Sequence, residues 1–290
     1  MEATFYYGIG ALVVELRYIS IAPQSEPDHV AAFRVPYYEK SDIICYVQGS
    51  SELCTREILK DCACIYSVEG RIAAYRSGDC YFFDLGTGDG NYITFMSYNR
   101  RSNKAYLFVD EDVVCHPHIM ETTQMQMILI QYLVNHNGLL MHSSAIKVLS
   151  NISNCFTGDS GVGKTTISRL FAGQGYKVLT DETSIVWMTD GKAYISGTPW
   201  KGSNSSYFDS EICLLNDIYI LSHGKQNAKR KVEKVRSVAL IIRHTFPLFW
   251  DNEMLRKLVV IVKNLVASVD VFEYAFVPND SAVGYILDEH

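Results

Sequence analysis

The chain has 290 residues, 48% of them hydrophobic, and a formal net charge of −6. That length holds one large or two ordinary domains with well-buried cores. The acidic balance gives no overall pull toward nucleic acid or an anionic membrane, so neither is expected as a partner.

Residues 1 to about 112 read almost wholly as β structure. Short runs rich in aromatic and branched residues cover 6–18, 29–38, 43–49, 71–75, 81–85, 92–98 and 104–109, with turn clusters between them. One helix is expected near 52–61. The cluster Gly-Thr-Gly-Asp-Gly-Asn at 86–91 has no following helix and no Lys-Ser/Thr pair, so it reads as a hairpin loop rather than a phosphate site. The first seven residues carry an early acid and no basic stretch, and the most apolar run, 258–269, contains Lys263 and is too short for a bilayer. A cytoplasmic protein is expected. In that reducing setting the eight cysteines read as free thiols. Cys62 and Cys64, with Cys115, His116 and His118, have poor spacing for zinc.

The pattern changes near 112 to a helix over 120–135, with Met125, Ile128, Leu129, Tyr132 and Leu133 at helical spacing and Asn137-Gly138 as its stop. Two runs, 139–148 and 154–157, then form a hairpin. It leads into Gly158-Asp159-Ser160-Gly161-Val162-Gly163-Lys164-Thr165, which matches the phosphate-binding loop G-x-x-x-x-G-K-[ST] without substitution, followed by Thr166. Glycines at that spacing let backbone N–H groups point at phosphate oxygens, and the helix over 164–172 adds the positive end of its dipole. Lys164 is placed for the outer phosphates of ATP or GTP, and the Thr165 hydroxyl for Mg²⁺. The next strand ends in Asp181 and Glu182. Neighbours on a strand point to opposite faces, and the expectation here is that Asp181 faces the phosphates, as Mg²⁺ partner or proton acceptor. Two β-rich runs around Asp190-Gly191 form a second hairpin. Lys201, beside Trp200 and Gly202, is a candidate phosphate or substrate contact.

A buried strand over 213–221, helices over 229–244 and 251–267 and a strand over 271–277 complete the chain. Lys225, Lys229, Arg230, Lys231, Lys234 and Arg236 make a basic run, read as a solvated helix face or as a contact to phosphates or an acidic peptide. Arg243 ends the first of these helices, where it interacts with the helix dipole. The fold class is therefore α+β or α/β: a β-rich N-terminal domain, 1–112, and a nucleotide-binding domain with a mixed sheet, 113–290.

The order Leu-Met-His142-Ser-Ser-Ala, then Phe-Thr-Gly-Asp-Ser-Gly-Val-Gly-Lys-Thr, then Gly-Tyr-Lys-Val-Leu-Thr-Asp181-Glu182, then Gly197-Thr-Pro-Trp-Lys-Gly202, resembles the HPr kinase/phosphorylase-like family over about 115–287. The resemblance implies a nucleotide-binding core shared with phosphoenolpyruvate carboxykinases. It implies that His142 lies near the transferred phosphoryl group, that Asp181 is base or Mg²⁺ partner, and that Glu182 assists the metal. The family commonly has two Asp residues at that pair; Glu182 keeps the charge on a longer arm. The segment that marks authentic HPr kinases after the acidic pair is missing. The resemblance is therefore to the shorter members that phosphorylate serine in peptides, including ribosomally made natural products, or free serine. The expected activity is Mg²⁺-dependent phosphoryl transfer from ATP or GTP to a serine of a peptide or protein, with the N-terminal domain binding substrate or pairing two copies in a homo-oligomer. Two alternatives stand beside it: a small-molecule kinase acting on free serine or resembling adenylylsulfate kinases, and a nucleotide-binding regulatory module without turnover.

Overall fold

The computed structural model describes residues 2–23, 25–51, 53–69, 72–85, 92–111, 117–202 and 206–287. The change of pattern near 112, the Gly-rich cluster at 86–91, Cys115 and His116 lie outside them. The chain is strand-rich and mixed α/β, with two mixed sheets in two compact units. Unit 1 comprises 1–8, 12–132 and 249–251; unit 2 comprises 9–11, 133–248 and 252–290.

Unit 1 is built on β1 (Glu2–Ile9), β2 (Leu12–Ile19), α1 (Asp28–Ala31), β3 (Arg34–Val35), β4 (Ile43–Gly49), α2 (Thr55–Leu59), β5 (Ala63–Val68), β6 (Ile72–Ser77), β7 (Cys80–Asp84), β8 (Ile93–Asn99) and β9 (Lys104–Val109). Among the described residues these give a sheet of order β3-β1-β2-β4-β9-β8-β7-β6-β5. Period-2 burial explains β9, whose Ala105, Leu107 and Val109 are inside while Lys104 and Tyr106 are out. Two expectations fail here. The 6–18 run breaks at Gly10, whose φ of 57° turns the chain between β1 and β2. The 29–38 run is a helical turn followed by a two-residue strand. Val30 and Phe33, three apart, are both fully buried, and His29 Nε2 lies 2.7 Å from Glu121 Oε1. The edge strand β5 escapes a pattern reading because nearly all of it is exposed.

A 3₁₀ turn (Ile119–Glu121) precedes α3 (Thr123–Asn135). Unit 2 then runs β10 (Gly138–Leu149), β11 (Ile152–Thr157), α4 (Lys164–Gly173), β12 (Lys177–Thr180), β13 (Thr183–Thr189), β14 (Lys192–Gly197), β15 (Cys213–His223), β16 (Ala228–Lys231), α5 (Lys234–Arg243), α6 (Asn252–Ser268), β17 (Asp270–Phe276) and α7 (Ser281–Leu287). Both expected hairpins form, β10–β11 and β13–β14, the latter turning on Asp190 and Gly191 with φ of 50° and 72°. β15 runs parallel to β11 on one side and to β17 on the other, which makes the sheet mixed. The basic run does not open a helix. Ala228–Lys231 pairs with β17, where Arg230 meets Glu273 and Lys231 meets Asp270, and the helix starts only at Lys234. The core of this unit holds Phe156, Ile167, Phe171, Tyr219, Tyr274 and Phe276, with Phe156 stacked on Tyr219 at 5.1 Å. No helix among the described residues is long and apolar enough to cross a membrane.

Candidate phosphate-binding site

The sheet of unit 2 sets the site at the point where β11 ends. Thr157, its last residue, stands opposite Ser143 of β10, and there the chain leaves the ladder as the glycine-rich loop. The vacated edge of β10 is taken by the segment after α5. His142 N–H donates to the His244 carbonyl at 2.9 Å, and Phe246 N–H to the Leu140 carbonyl at 3.2 Å. The loop is thus flanked by α4 and by the end of α5. Gly163 has a φ of 110°, and a Cβ there would lie 2.7 Å from Phe276 Cζ, so the close seat of the loop on the core requires glycine. Ile167 and Phe171, four apart on α4, are fully buried and hold the helix on the sheet.

A cavity of about 270 Å³ opens at this point, lined by His142, Ser160, Gly161, Gly163, Lys164, Thr165, Thr166 and Glu182. The structure therefore brings together most of the residues singled out from the sequence. Lys164 is 6% exposed, and its Nζ donates to the carbonyls of Gly158 at 3.0 Å and Asp159 at 3.3 Å. Burial pushes this ammonium below its ordinary range, while Glu182 and Asp159 hold it up. Burial raises the Glu182 carboxyl; Asp181 adds to the rise, and Lys164 opposes it. His142 Nδ1 lies 3.5 Å from Glu182 Oε1. Its imidazole is pushed down to about 4, first by burial and then by the nearby Lys164 and His244. At neutral pH it is uncharged.

The acids stand differently from the expectation. Glu182 lines the cavity, whereas Asp181 is 1% exposed and is not part of the lining. The cause is local. The Thr180 hydroxyl oxygen accepts from the N–H groups of Glu182 and Thr183 at 3.3 and 3.4 Å, a side-chain turn that bends the chain between β12 and β13. Strand alternation does not run through such a bend. Gly202 supports this placement, since a Cβ on it would lie 2.7 Å from Glu182 Oε2. Its neighbour Lys201 is exposed and does not line the cavity.

Two residues stand beside the loop: Arg243, read from the sequence only as a helix-end cation, and His244, which that reading did not single out. Arg243 donates to the Asp159 carboxylate at 2.8 Å. His244 is 8% exposed, and its imidazole is lowered by burial, with Asp159 opposing and Arg243 and Lys164 adding to the fall. Nothing in the local pattern of α5 points to the loop, because the contact depends on which strand edge the following segment fills. A second cavity in unit 2, of about 500 Å³ beside Asn137, Asp190 and Asn264, has no histidine, lysine or arginine in its lining. Among the described residues no three or more His, Cys, Asp or Glu side chains group to hold a metal ion. No family model and no curated protein matches the chain.

Proposed function

We propose that the chain is a phosphotransferase that moves the terminal phosphoryl group of ATP or GTP to a serine hydroxyl of a peptide or protein. Unit 2 would then be a P-loop domain of the phosphoenolpyruvate carboxykinase-like kind, as the sequence resemblance to HPr kinase-like proteins implies. The observation that carries this reading is the convergence of the glycine-rich loop, Lys164, Thr165, Glu182 and His142 on one cavity. A regulatory module would need the loop and Lys164 but not a half-buried carboxyl of raised proton affinity beside them.

The geometry supports the following roles. Lys164 exchanges the loop carbonyls for phosphate oxygens and neutralises charge on the outer phosphates. Glu182, whose affinity for a proton is raised by burial, accepts the proton of the acceptor hydroxyl. The hydroxyl oxygen then bonds to the terminal phosphorus, the bond from that phosphorus to the bridging oxygen breaks, and the nucleoside diphosphate leaves. His142, neutral and 3.5 Å from Glu182, orients the acceptor by hydrogen bonding rather than by charge. The Thr165 hydroxyl, an oxygen donor in the cavity lining, would hold Mg²⁺, which takes few protein ligands and completes its shell with phosphate and water. When bound, it would neutralise phosphate charge. Asp181, buried next in sequence, keeps a supporting place as an acid that adds to the rise burial gives Glu182.

The test is transfer of label from terminally labelled ATP to serine peptides and to free serine, with Lys164→Ala as control. Phosphoserine on a peptide, lost in a folded Lys164→Ala protein, is the expected result. Equal or faster transfer to free serine would replace the peptide acceptor with a metabolic one. Transfer that persists without Lys164 would overturn the kinase reading.

A further inference from the structure

Arg243 and Asp159 form an ion pair of 2.8 Å in which both side chains are mostly exposed, 64% and 62%. Exposed pairs of this kind contribute little to stability. Its position is what makes it informative. Asp159 is the second residue of the phosphate loop, next to Ser160 of the cavity wall, and its own carbonyl accepts from Lys164 Nζ. Arg243 is the last residue of α5, and it is held at the loop because the next three residues fill the edge of β10 that β11 vacates. The residue is thus fixed from the backbone side, while its guanidinium is mostly exposed and is paired at its tip with Asp159. It is paired with Asp159, the carboxylate of the loop itself, which a bound polyphosphate would repel.

We infer that Arg243 is a nucleotide-binding residue that exchanges the Asp159 carboxylate for the terminal phosphate of a nucleoside triphosphate, so that the Asp159–Arg243 pair makes the loop prefer triphosphate over diphosphate. The inference rests on the proposed nucleotide site and adds to it a discriminating residue. The chemistry favours the exchange. A phosphate carries more charge than a carboxylate, and the planar guanidinium meets two of its oxygens at once. Asp159 then acts as a competitor: it holds Arg243 when the terminal phosphate is missing and weakens binding by its own charge. The two members of the pair should therefore have opposite effects, which a merely structural ion pair would not show.

The experiment measures affinities of MgATP and MgADP for the full chain by calorimetry, with Arg243→Ala, Arg243→Lys, Asp159→Asn and the double variant, each checked for an unchanged melting temperature. Arg243→Ala should weaken MgATP by about tenfold and MgADP by less than about twofold, as expected for one charge-assisted bidentate contact. Arg243→Lys should fall between, because charge without the fork restores part of the contact. Asp159→Asn should tighten MgATP by about threefold, from a freed Arg243 and a removed repulsion. In the double variant that gain should vanish. Equal losses for MgATP and MgADP in Arg243→Ala, or a loss of MgATP affinity in Asp159→Asn, would overturn the role of Arg243 while leaving the nucleotide site intact. Failure of the unaltered protein to bind either nucleotide would overturn both.

Discussion

His142 offers a test that needs no substrate. Its imidazole is displaced from 6.5 to about 4 by burial beside Lys164 and His244. The unfolded chain takes up this proton as pH falls through the ordinary histidine range, whereas the folded protein refuses it until about 4. Between those values the unfolded state binds more protons, so stability is intact above about 6.5 and is lost progressively as pH falls toward about 4. The full displacement corresponds to about 3 kcal/mol. The side chain is 30% exposed, and water screens part of the effect, so about 1–2 kcal/mol is the reasonable expectation. Replacing His142 by Gln, uncharged at every pH, should make the protein lose about 1–2 kcal/mol less on going from about pH 7 to about pH 4.5. His118 is also lowered by burial, but its contribution cancels in the comparison of protein and variant; His244 acts on His142, so the comparison is repeated with His244→Gln in both. Denaturant unfolding at the two pH values gives the difference, and carbon-13 labelling of the ring gives the titration directly. An imidazole titrating near 6.5, or a variant with the same acid loss as the parent, would refute the burial argument. It would also remove the case for His142 as a neutral orienting group.

Glu182→Gln should lower phosphoryl transfer by on the order of a hundredfold or more, with peptide and nucleotide affinity changing far less, as loss of a proton acceptor predicts. Asp181→Asn should cost less in turnover; steady-state kinetics of the two variants decides, and a larger effect at Asp181 would return the acceptor role to the first acid. Because burial raises Glu182, the rate should fall as pH drops through that raised value and the carboxylate takes up a proton, and a pH profile of transfer reads it. Phe171→Ala removes a fully buried ring that lies against Phe156 and Tyr176 at 5.5 Å, and should destabilise unit 2 by about 3–5 kcal/mol in denaturant unfolding. A loss under about 1 kcal/mol would mean that α4 is not held on the sheet as described.

How much of this was legible in the sequence depends on whether the signal was local. The loop was, because Gly-x-x-x-x-Gly-Lys-Thr is a chemical demand made on consecutive residues, and the structure supplies its reason at Gly163, where no side chain fits against Phe276. The hairpin at Asp190-Gly191 was legible for the same reason: two adjacent residues in left-handed conformation are a property of the turn itself. Where the reading failed, the deciding partner was far away in the chain. Lys229, Arg230 and Lys231 look like the first turn of a helix until Glu273 and Asp270 on β17 are known to pair with them as a strand. Val30 and Phe33 look like strand residues until His29 is seen to be tied to Glu121. The acids lie between these cases. A strand ending in Asp181-Glu182 lets only one of them face the crevice, and the choice rests on whether alternation survives to the end of the strand. It does not, because Thr180 spends its hydroxyl on two backbone N–H groups and bends the chain there. Threonine is common inside strands, where its hydroxyl is often idle, so the residue alone carries no warning. β12 and β13 pair with the same edge of β10, Thr180 opposite Ala145 and Thr183 opposite His142, so the register is kept across 181–182 and its one shift lies just before, between Val178 and Thr180. The inward acid is thus a local matter: the bend at 181–182, held by the Thr180 hydroxyl, leaves the longer of the two carboxylates in the cavity lining.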